Sequence, residues 1–327
     1  MAKKKVHVVP STERRGSCKQ PLFVQFAGAR GRDERSAPRR CNLPATQLFW
    51  RSRSAPVSAH FMARTPIIYA VANQKGGVGK TTTSVNLAAS LAAAEKATLL
   101  VDCDPQGNAS SGTGVRRPSI ERSLYDVLIG RYTLRETVMS TAVPRLDIVP
   151  ATQDLVAAEL ELVDAPDRAL KLREALHPHI GAYDYVILDC PPSLGLLTLN
   201  ALTAAHRVLV PLQCEYYALE GLTYLMATID RVKAAYNPQL EVEGIVLTMY
   251  DGRNSLTHQV ADEVKGHFKV FDSIIPRNVK LSEAPSHGKP VLLYDASSKG
   301  AQGYLGLARE ILEANKPAKT KSARARS

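Results

Sequence analysis

Residues 67–82 read IIYAVANQKGGVGKTT. The run from Ile67 to Asn73 is almost continuously apolar, as a strand buried on both faces of a sheet requires. It leads straight into a glycine-rich turn and then into an Ala-rich segment with helical spacing. A strand, a glycine turn and a helix opening on Gly79-Lys80-Thr81 form a phosphate cradle. The glycines let backbone N–H groups converge on an anion, Lys80 reaches the outer phosphates, Thr81 offers a hydroxyl to Mg²⁺, and the helix N-terminus favours negative charge. Position 74 is Gln, so the string reads KGGxGKT rather than the commoner GxxxxGK[ST].

Outward from this stretch, short apolar runs alternate with amphipathic ones. Strands are predicted at Ile67–Asn73, Ala97–Asp102, Leu146–Val149, Tyr185–Asp189, Arg207–Pro211, Val242–Met249 and Val270–Ile274. Helices are predicted near 79–94, 152–176, 195–205, 218–235, 255–267 and 299–315. This alternation implies an α/β fold, a mostly parallel twisted sheet with helices on both faces, and ligands at the carboxyl ends of the strands. Asp102 and Asp104 close one strand and Asp189 another, which is where carboxylates meet a bound metal and its water. A structural loop cap is the competing reading of the first pair.

The 327 residues suit one large α/β unit with appendages, and no apolar run approaches the length of a membrane span. Five scattered cysteines fit neither a disulfide framework nor paired metal half-sites, so a reducing cytoplasm is expected. The formal charge of +11 is unevenly placed. Residues 1–65 hold 14 Lys and Arg against 3 Asp and Glu, residues 316–327 hold 5 against none, and 66–315 hold 23 against 28. The body is mildly acidic, so nucleic-acid binding by the folded part must rest on local patches. The first 65 residues are expected to be a disordered basic leader. Translation starting at Met62, just before the first strand, is an alternative to a function for that leader. Residues 316–327 are expected to be a disordered basic tail.

Beyond the cradle, LLVDCDPQGNAS (99–110), YVILDCPPSLGLLTLNAL (185–202), VPLQCEYYALEGL (210–222), GIVLTMYDGR (244–253) and IIPRNVKLSEAPSHGKP (274–290) come in order. With ANQKGGVGKTTTSVNLA they resemble the deviant Walker A P-loop ATPases, in particular their ParA/Soj partition branch, over 66–315. The resemblance implies ATP and Mg²⁺ as cofactors. Gly76, Gly77, Val78, Gly79, Lys80, Thr81 and Thr82 would cradle the nucleotide, and Lys75 would cross a dimer to the partner's phosphates. Asp104 would orient the attacking water, Thr81 would ligate Mg²⁺, and Asp189 would hold the ion through water. Met249, Pro276 and Asn278 fall where relatives surround adenine; as bare residues they fit core packing and a turn equally well. Arg253, Arg277 and Lys280 match a non-specific DNA surface, although three cations in two loops read without the family as solvated surface. Lys280 stands where Arg is expected, which keeps charge but loses bidentate geometry.

The implied activity is slow ATP hydrolysis used as a switch. An ATP-bound homodimer would bind double-stranded DNA and be released by a ParB-like centromere-binding protein, in the cytoplasm on the nucleoid. A membrane-positioning ATPase of the MinD kind would need a C-terminal amphipathic helix; the chain instead ends KPAKTKSARARS, after a GYLGLAREILEAN segment that fits a helix docked on the body. A metal-cluster carrier would need exposed bridging cysteines. A nucleotide-binding adaptor without turnover would not need Asp104, Asp189 and both lysines.

Overall fold

The computed structural model describes residues 65–316, so the expectations for the leader and for 317–327 lie outside the described residues. Strand β1 (Ile67–Val71) sits inside a seven-stranded sheet because both of its faces are apolar. The others are β2 (Thr98–Asp102), β3 (Met139–Ser140), β4 (Leu146–Val149), β5 (Tyr185–Asp189), β6 (Arg207–Gln213) and β7 (Glu241–Thr248). Their order is β3-β4-β2-β5-β1-β6-β7, and every pairing is parallel except β3 with β4.

Register decides what stands at the carboxyl edge. Val71 lies opposite Asp189, and Asp189 lies opposite Asp102, so the ends of β1, β5 and β2 form one level row. The chain leaves β1 for β2 on one side, while β6 flanks β1 on the other. That reversal opens a crevice at the strand ends.

Among the described residues twelve α-helices surround the sheet: α1 (Lys80–Ala93), α2 (Asn108–Gly112), α3 (Leu124–Leu128), α4 (Leu134–Thr137), α5 (Leu155–Glu161), α6 (Lys171–Leu176), α7 (Leu196–Ala204), α8 (Ala218–Ala235), α9 (Ser255–His267), α10 (Val279–Glu283), α11 (Val291–Tyr294) and α12 (Lys299–Ala314). Period-two alternation divides the strands between two cores. Ile68, Ala70, Leu99, Val101, Val186 and Leu188 pack with Leu172, Leu202, Leu225 and Val260 of α6 to α9. Tyr69, Val71, Leu100 and Ile187 pack with Leu87 and Leu91 of α1 and Leu307 and Ile311 of α12. Helix α12 thus buries its apolar face on the body, as the GYLGLAREILEAN pattern predicts.

Two expectations are corrected, and one strand was not foreseen. The single helix over 152–176 is two short ones, α5 and α6, because Pro166 lies in the middle of that span and cannot continue a helix. Val270–Ile274 is no strand; it contributes one bridge, Val270 to Ile245, beside β7. The short antiparallel β3, two residues long, has too little sequence to carry a period.

Candidate functional site

Three contacts hold the loop after β1. Asn73 Nδ2 donates to the Pro211 carbonyl at 2.8 Å, and Asn73 Oδ1 accepts from Lys75 N at 3.0 Å. Thr248 Oγ1, at the end of β7, donates to the Val78 carbonyl at 2.8 Å. The loop is thereby tied to both strands on that side of β1. Gly77 and Gly79 have φ of +76° and +88°, a region that costs an L side chain. Gly79 is the N-cap of α1, with no side-chain cap on the helix amides. A Cβ on Gly76 or Gly77 would meet nothing within 4 Å, so the loop stands open above the crevice.

Lys80 is buried, and its Nζ reaches back across the loop to the Lys75 carbonyl at 2.9 Å. Burial lowers its pKa against the opposing pull of Asp189. Lys75 lies on the lip, half-exposed, in an ion pair with Glu215 of its own chain. Thr81 and Thr82 come next on α1, partly open to solvent.

Beneath the loop stand two fully buried carboxylates, Asp189 and Asp102. Ser84 Oγ donates to Asp189 Oδ1 at 2.7 Å, while Asp189 Oδ2 is buried with no hydrogen-bond partner. Burial, then the neighbouring Asp102 charge, pushes the Asp189 pKa well above the carboxylate range. Asp102 Oδ2 accepts from Ser110 N at 2.8 Å and Ser110 Oγ at 2.7 Å, and its Oδ1 accepts from Asp104 N at 3.2 Å. Asp102 thus receives the amide and hydroxyl of Ser110 in α2, the geometry of a loop cap. Asp104 is buried too, and its Oδ1 accepts from Gln106 N at 2.9 Å. The Asp189 oxygen left without a hydrogen bond, an all-oxygen donor set and the Thr81 hydroxyl beside Asp189 fit a hydrated Mg²⁺, a hard cation that keeps several waters.

A cavity of about 240 Å³ opens beside the loop, lined by Gly79, Thr82, Met249, Pro276, Asn278 and Tyr304 among others. Met249, Pro276 and Asn278, distant in sequence from the loop, thus converge next to it. Met249 has φ of +49°, strained for a non-glycine residue, where the chain turns out of β7. Asn278 caps α10 through Oδ1, which accepts from Lys280 N at 2.9 Å. Arg277 lines the same cavity. Larger clefts of about 460 and 400 Å³ lie over α7 and α8 and near the start of β1, and neither includes a loop residue.

The other two cations are already engaged. Arg253, with a side chain 93% exposed, pairs with Asp251 at 3.2 Å. Lys280 pairs with Glu283 at 2.9 Å, and its ammonium lies 5.5 Å from the Tyr294 ring centre. Sequence reasoning missed Ser84, Thr248, Glu215 and Tyr304. Ser84 alone had a signal, being one helical turn after Lys80 on the face that meets the sheet.

This fold and site define a P-loop nucleotide-binding protein of the α/β class. The model of the family described as "AAA domain" matches residues 66–242. The chain is 57% identical over 252 residues to the chromosome partitioning protein ParA of Myxococcus xanthus, covering 76% of this chain and 89% of that one. It is 54% identical over 246 residues to the sporulation initiation inhibitor protein Soj of Bacillus subtilis, covering 75% and 97%. Among solved structures, cobyrinic acid a,c-diamide synthase from Mycobacterium smegmatis with bound ADP and magnesium superposes with a TM-score of 0.67 at 37% identity, covering 76% and 95%. The chain belongs to the ParA/Soj family. Among the described residues no helix is long and apolar enough to cross a membrane.

Proposed function

We propose that the chain is an ATP-dependent partition ATPase whose nucleotide state switches dimerisation and DNA binding. The observation that carries this reading is the buried, unpartnered Asp189 Oδ2 beneath a loop that bears two lysines. The names of the ParA and Soj relatives support the cellular role.

Lys80 would turn from the Lys75 carbonyl to the β- and γ-phosphates, and the amides of Gly76 to Thr82 would close around them. Thr81 Oγ1 and, through water, Asp189 would hold Mg²⁺, which when bound neutralises the phosphate charge. Met249 and Pro276 would sandwich the adenine, with the Asn278 amide as its polar contact. Asp104 would orient a water in line with the bond from γ-phosphorus to the bridging oxygen; that bond breaks as the water oxygen adds, and ADP and phosphate leave. Lys75 would leave Glu215 and cross to the partner's phosphates, so the dimer would form only with ATP. Arg253, Arg277 and Lys280 would contact DNA phosphates without reading sequence. A ParB-like protein would trigger hydrolysis and release.

The test is Asp104→Ala. It is expected to retain Mg²⁺-ATP binding, the ATP-dependent dimer and DNA binding while phosphate release falls at least tenfold. Turnover equal to wild type would reduce Asp104 to a loop cap. A wild-type chain that neither turns over ATP nor dimerises with it would overturn the whole reading.

A further inference from the structure

A second cavity, about 270 Å³, adjoins the first, sharing Thr82 and Pro285 with it. The two are lined by different parts of the chain. Met249, Ile275, Pro276 and Leu281 give the first an apolar wall that suits a base, with Arg277 and Asn278 at its edge, whereas Thr81, Asn108, Ser111 and the exposed Lys289 line the second beside Val85 and Ala284.

The backbone of Lys289 is fixed there, while its side chain is exposed. Gly288 has φ of +62°, and Lys289 N donates to the Ala284 carbonyl at 3.2 Å, which folds the chain back after the turn at 284–287. Gly288 and Gly114 meet backbone to backbone, so that a Cβ on Gly288 would come within 3.0 Å of the Gly114 Cα and one on Gly114 within 3.0 Å of the Gly288 carbonyl. Neither position has room for a side chain. The crossing fixes the loop that carries Lys289 against the segment after α2. Among the described residues the Lys289 ammonium has no ion pair and no side-chain hydrogen bond, in contrast to Lys75, Lys280 and Lys269. Asn86 lies on the floor with both amide atoms engaged, Oδ1 by Val291 N at 2.7 Å and Nδ2 by the Thr82 carbonyl at 2.7 Å, so it shapes the cavity and leaves the recognition to its neighbours.

A nucleotide whose base fills the first cavity and whose outer phosphates meet Lys80 must pass its sugar and innermost phosphate by Thr82, which with Pro285 lines both cavities. We propose that Lys289 is a further nucleotide-binding residue, its ammonium meeting the α-phosphate and ribose end of the nucleotide bound by the same chain. This rests on the nucleotide-binding reading above and adds a contact made alike with ATP and ADP. The α-phosphate keeps its charge through hydrolysis, so Lys289 would help retain the product, whereas Lys75 and Asp104 act on the triphosphate.

Calorimetric titration of the full chain with Mg²⁺-ADP and with a non-hydrolysable Mg²⁺-ATP analogue tests this in wild type, Lys289→Met and Lys289→Arg. Lys289→Met keeps the stem and removes the charge; it is expected to weaken both nucleotides about tenfold, as loss of a charge-assisted contact does. Lys289→Arg is expected to stay within about threefold of wild type for both. Wild-type affinity for ADP in Lys289→Met would overturn the proposal, and so would a loss confined to the triphosphate, which would move the contact to the γ-phosphate. Equal losses in Lys289→Met and Lys289→Arg would mean that shape, not charge, matters, and would overturn it as well. A wild-type chain that binds neither nucleotide would instead sink the reading on which the proposal stands.

Discussion

Asp102 and Asp189 end adjacent strands in direct register, yet hydrogen bonds reach both carboxylate oxygens of Asp102 and only one of Asp189. Two groups of the same chemistry, side by side at one edge, thus differ in hydrogen bonding because of the residues immediately C-terminal to each. After Asp102 comes a tight turn through Gly107, whose φ of +65° brings Ser110 N and Oγ back onto the carboxylate. After Asp189 come Cys190 and Pro191, and proline has no N–H to offer.

Substitution of the two should therefore have opposite signatures. Asp102→Ala removes the acceptor for three donors in a buried turn and is expected to cost about 2–4 kcal/mol of stability. Asp189→Asn keeps the shape and the Ser84 contact while removing a buried, half-satisfied charge, so its stability without nucleotide should equal or exceed wild type. The increase in Tm that Mg²⁺-ATP gives wild type should be lost in Asp189→Asn. Thermal melts with and without Mg²⁺-ATP separate these outcomes; a strongly destabilised Asp189→Asn would make that residue structural.

The lysine on the lip is expected to matter between chains rather than within one. Its pair with Glu215 is half-exposed, so Lys75→Ala should change stability by less than about 1 kcal/mol and leave ATP binding intact. ATP-dependent dimers should disappear in sedimentation. Gly76→Val should behave likewise, because a Cβ at Gly76 meets nothing in its own chain. An ATP dimer of normal strength in Lys75→Ala would remove the lysine from the interface.

Acid sensitivity should come in part from Glu243, whose side chain is 1% exposed and is bonded by Arg207 at 2.7 Å and Lys269 at 2.8 Å. Burial alone would raise its pKa, but the Lys269 hydrogen bond and the Arg207 charge outweigh it and the net shift is downward. A carboxylate with a depressed folded-state pKa stabilises fully above its unfolded value, about 4.3, and loses that contribution as pH falls through the folded value. Between pH 5 and 3, Glu243→Gln should therefore lose less stability than wild type, by about 1 kcal/mol, in denaturant melts. Parallel pH profiles would show that the cluster is not titrating.

How much could be read from sequence depends on how far each signal extends along the chain. The loop from Gln74 to Thr82 is one contiguous segment whose backbone and side chains act together, so its place between β1 and α1 was legible. Continuous apolar runs gave six of the strands, because burial on both faces leaves no alternation to misread. The break at Pro166 was also written in the sequence, but the apolar spacing on either side of it outweighed one residue. The hydrogen bonds of Asp102 were not legible, since they depend on Ser110 folding back eight residues later. The i,i+3 pair of Lys280 with Glu283 is helical spacing within α10 and was open to a reading of the sequence, whereas the Tyr294 hydroxyl on the same carboxylate depends on where α11 packs, which local spacing does not encode.

That engagement bears on DNA. If an ATP dimer binds duplex through Arg253 and Lys280 of each chain, about four phosphates are contacted, and log K should fall with log salt at a slope of roughly −3 to −4. Arg253→Ala should flatten the slope by about 2. Lys280, however, now shares its charge with Glu283 at 2.9 Å, and the Tyr294 hydroxyl donates to the same carboxylate at 3.0 Å. Glu283→Gln should free the ammonium and also remove a negative charge from the surface, raising affinity about two- to fivefold at low salt, the value of an exposed ion pair. Because the segments before Met62 and after Asn315 are basic, the titration should use a chain of residues 62–315, in which the body alone supplies the contacts. A slope unchanged by Arg253→Ala, together with no gain in Glu283→Gln, would place the DNA on another face or on the termini.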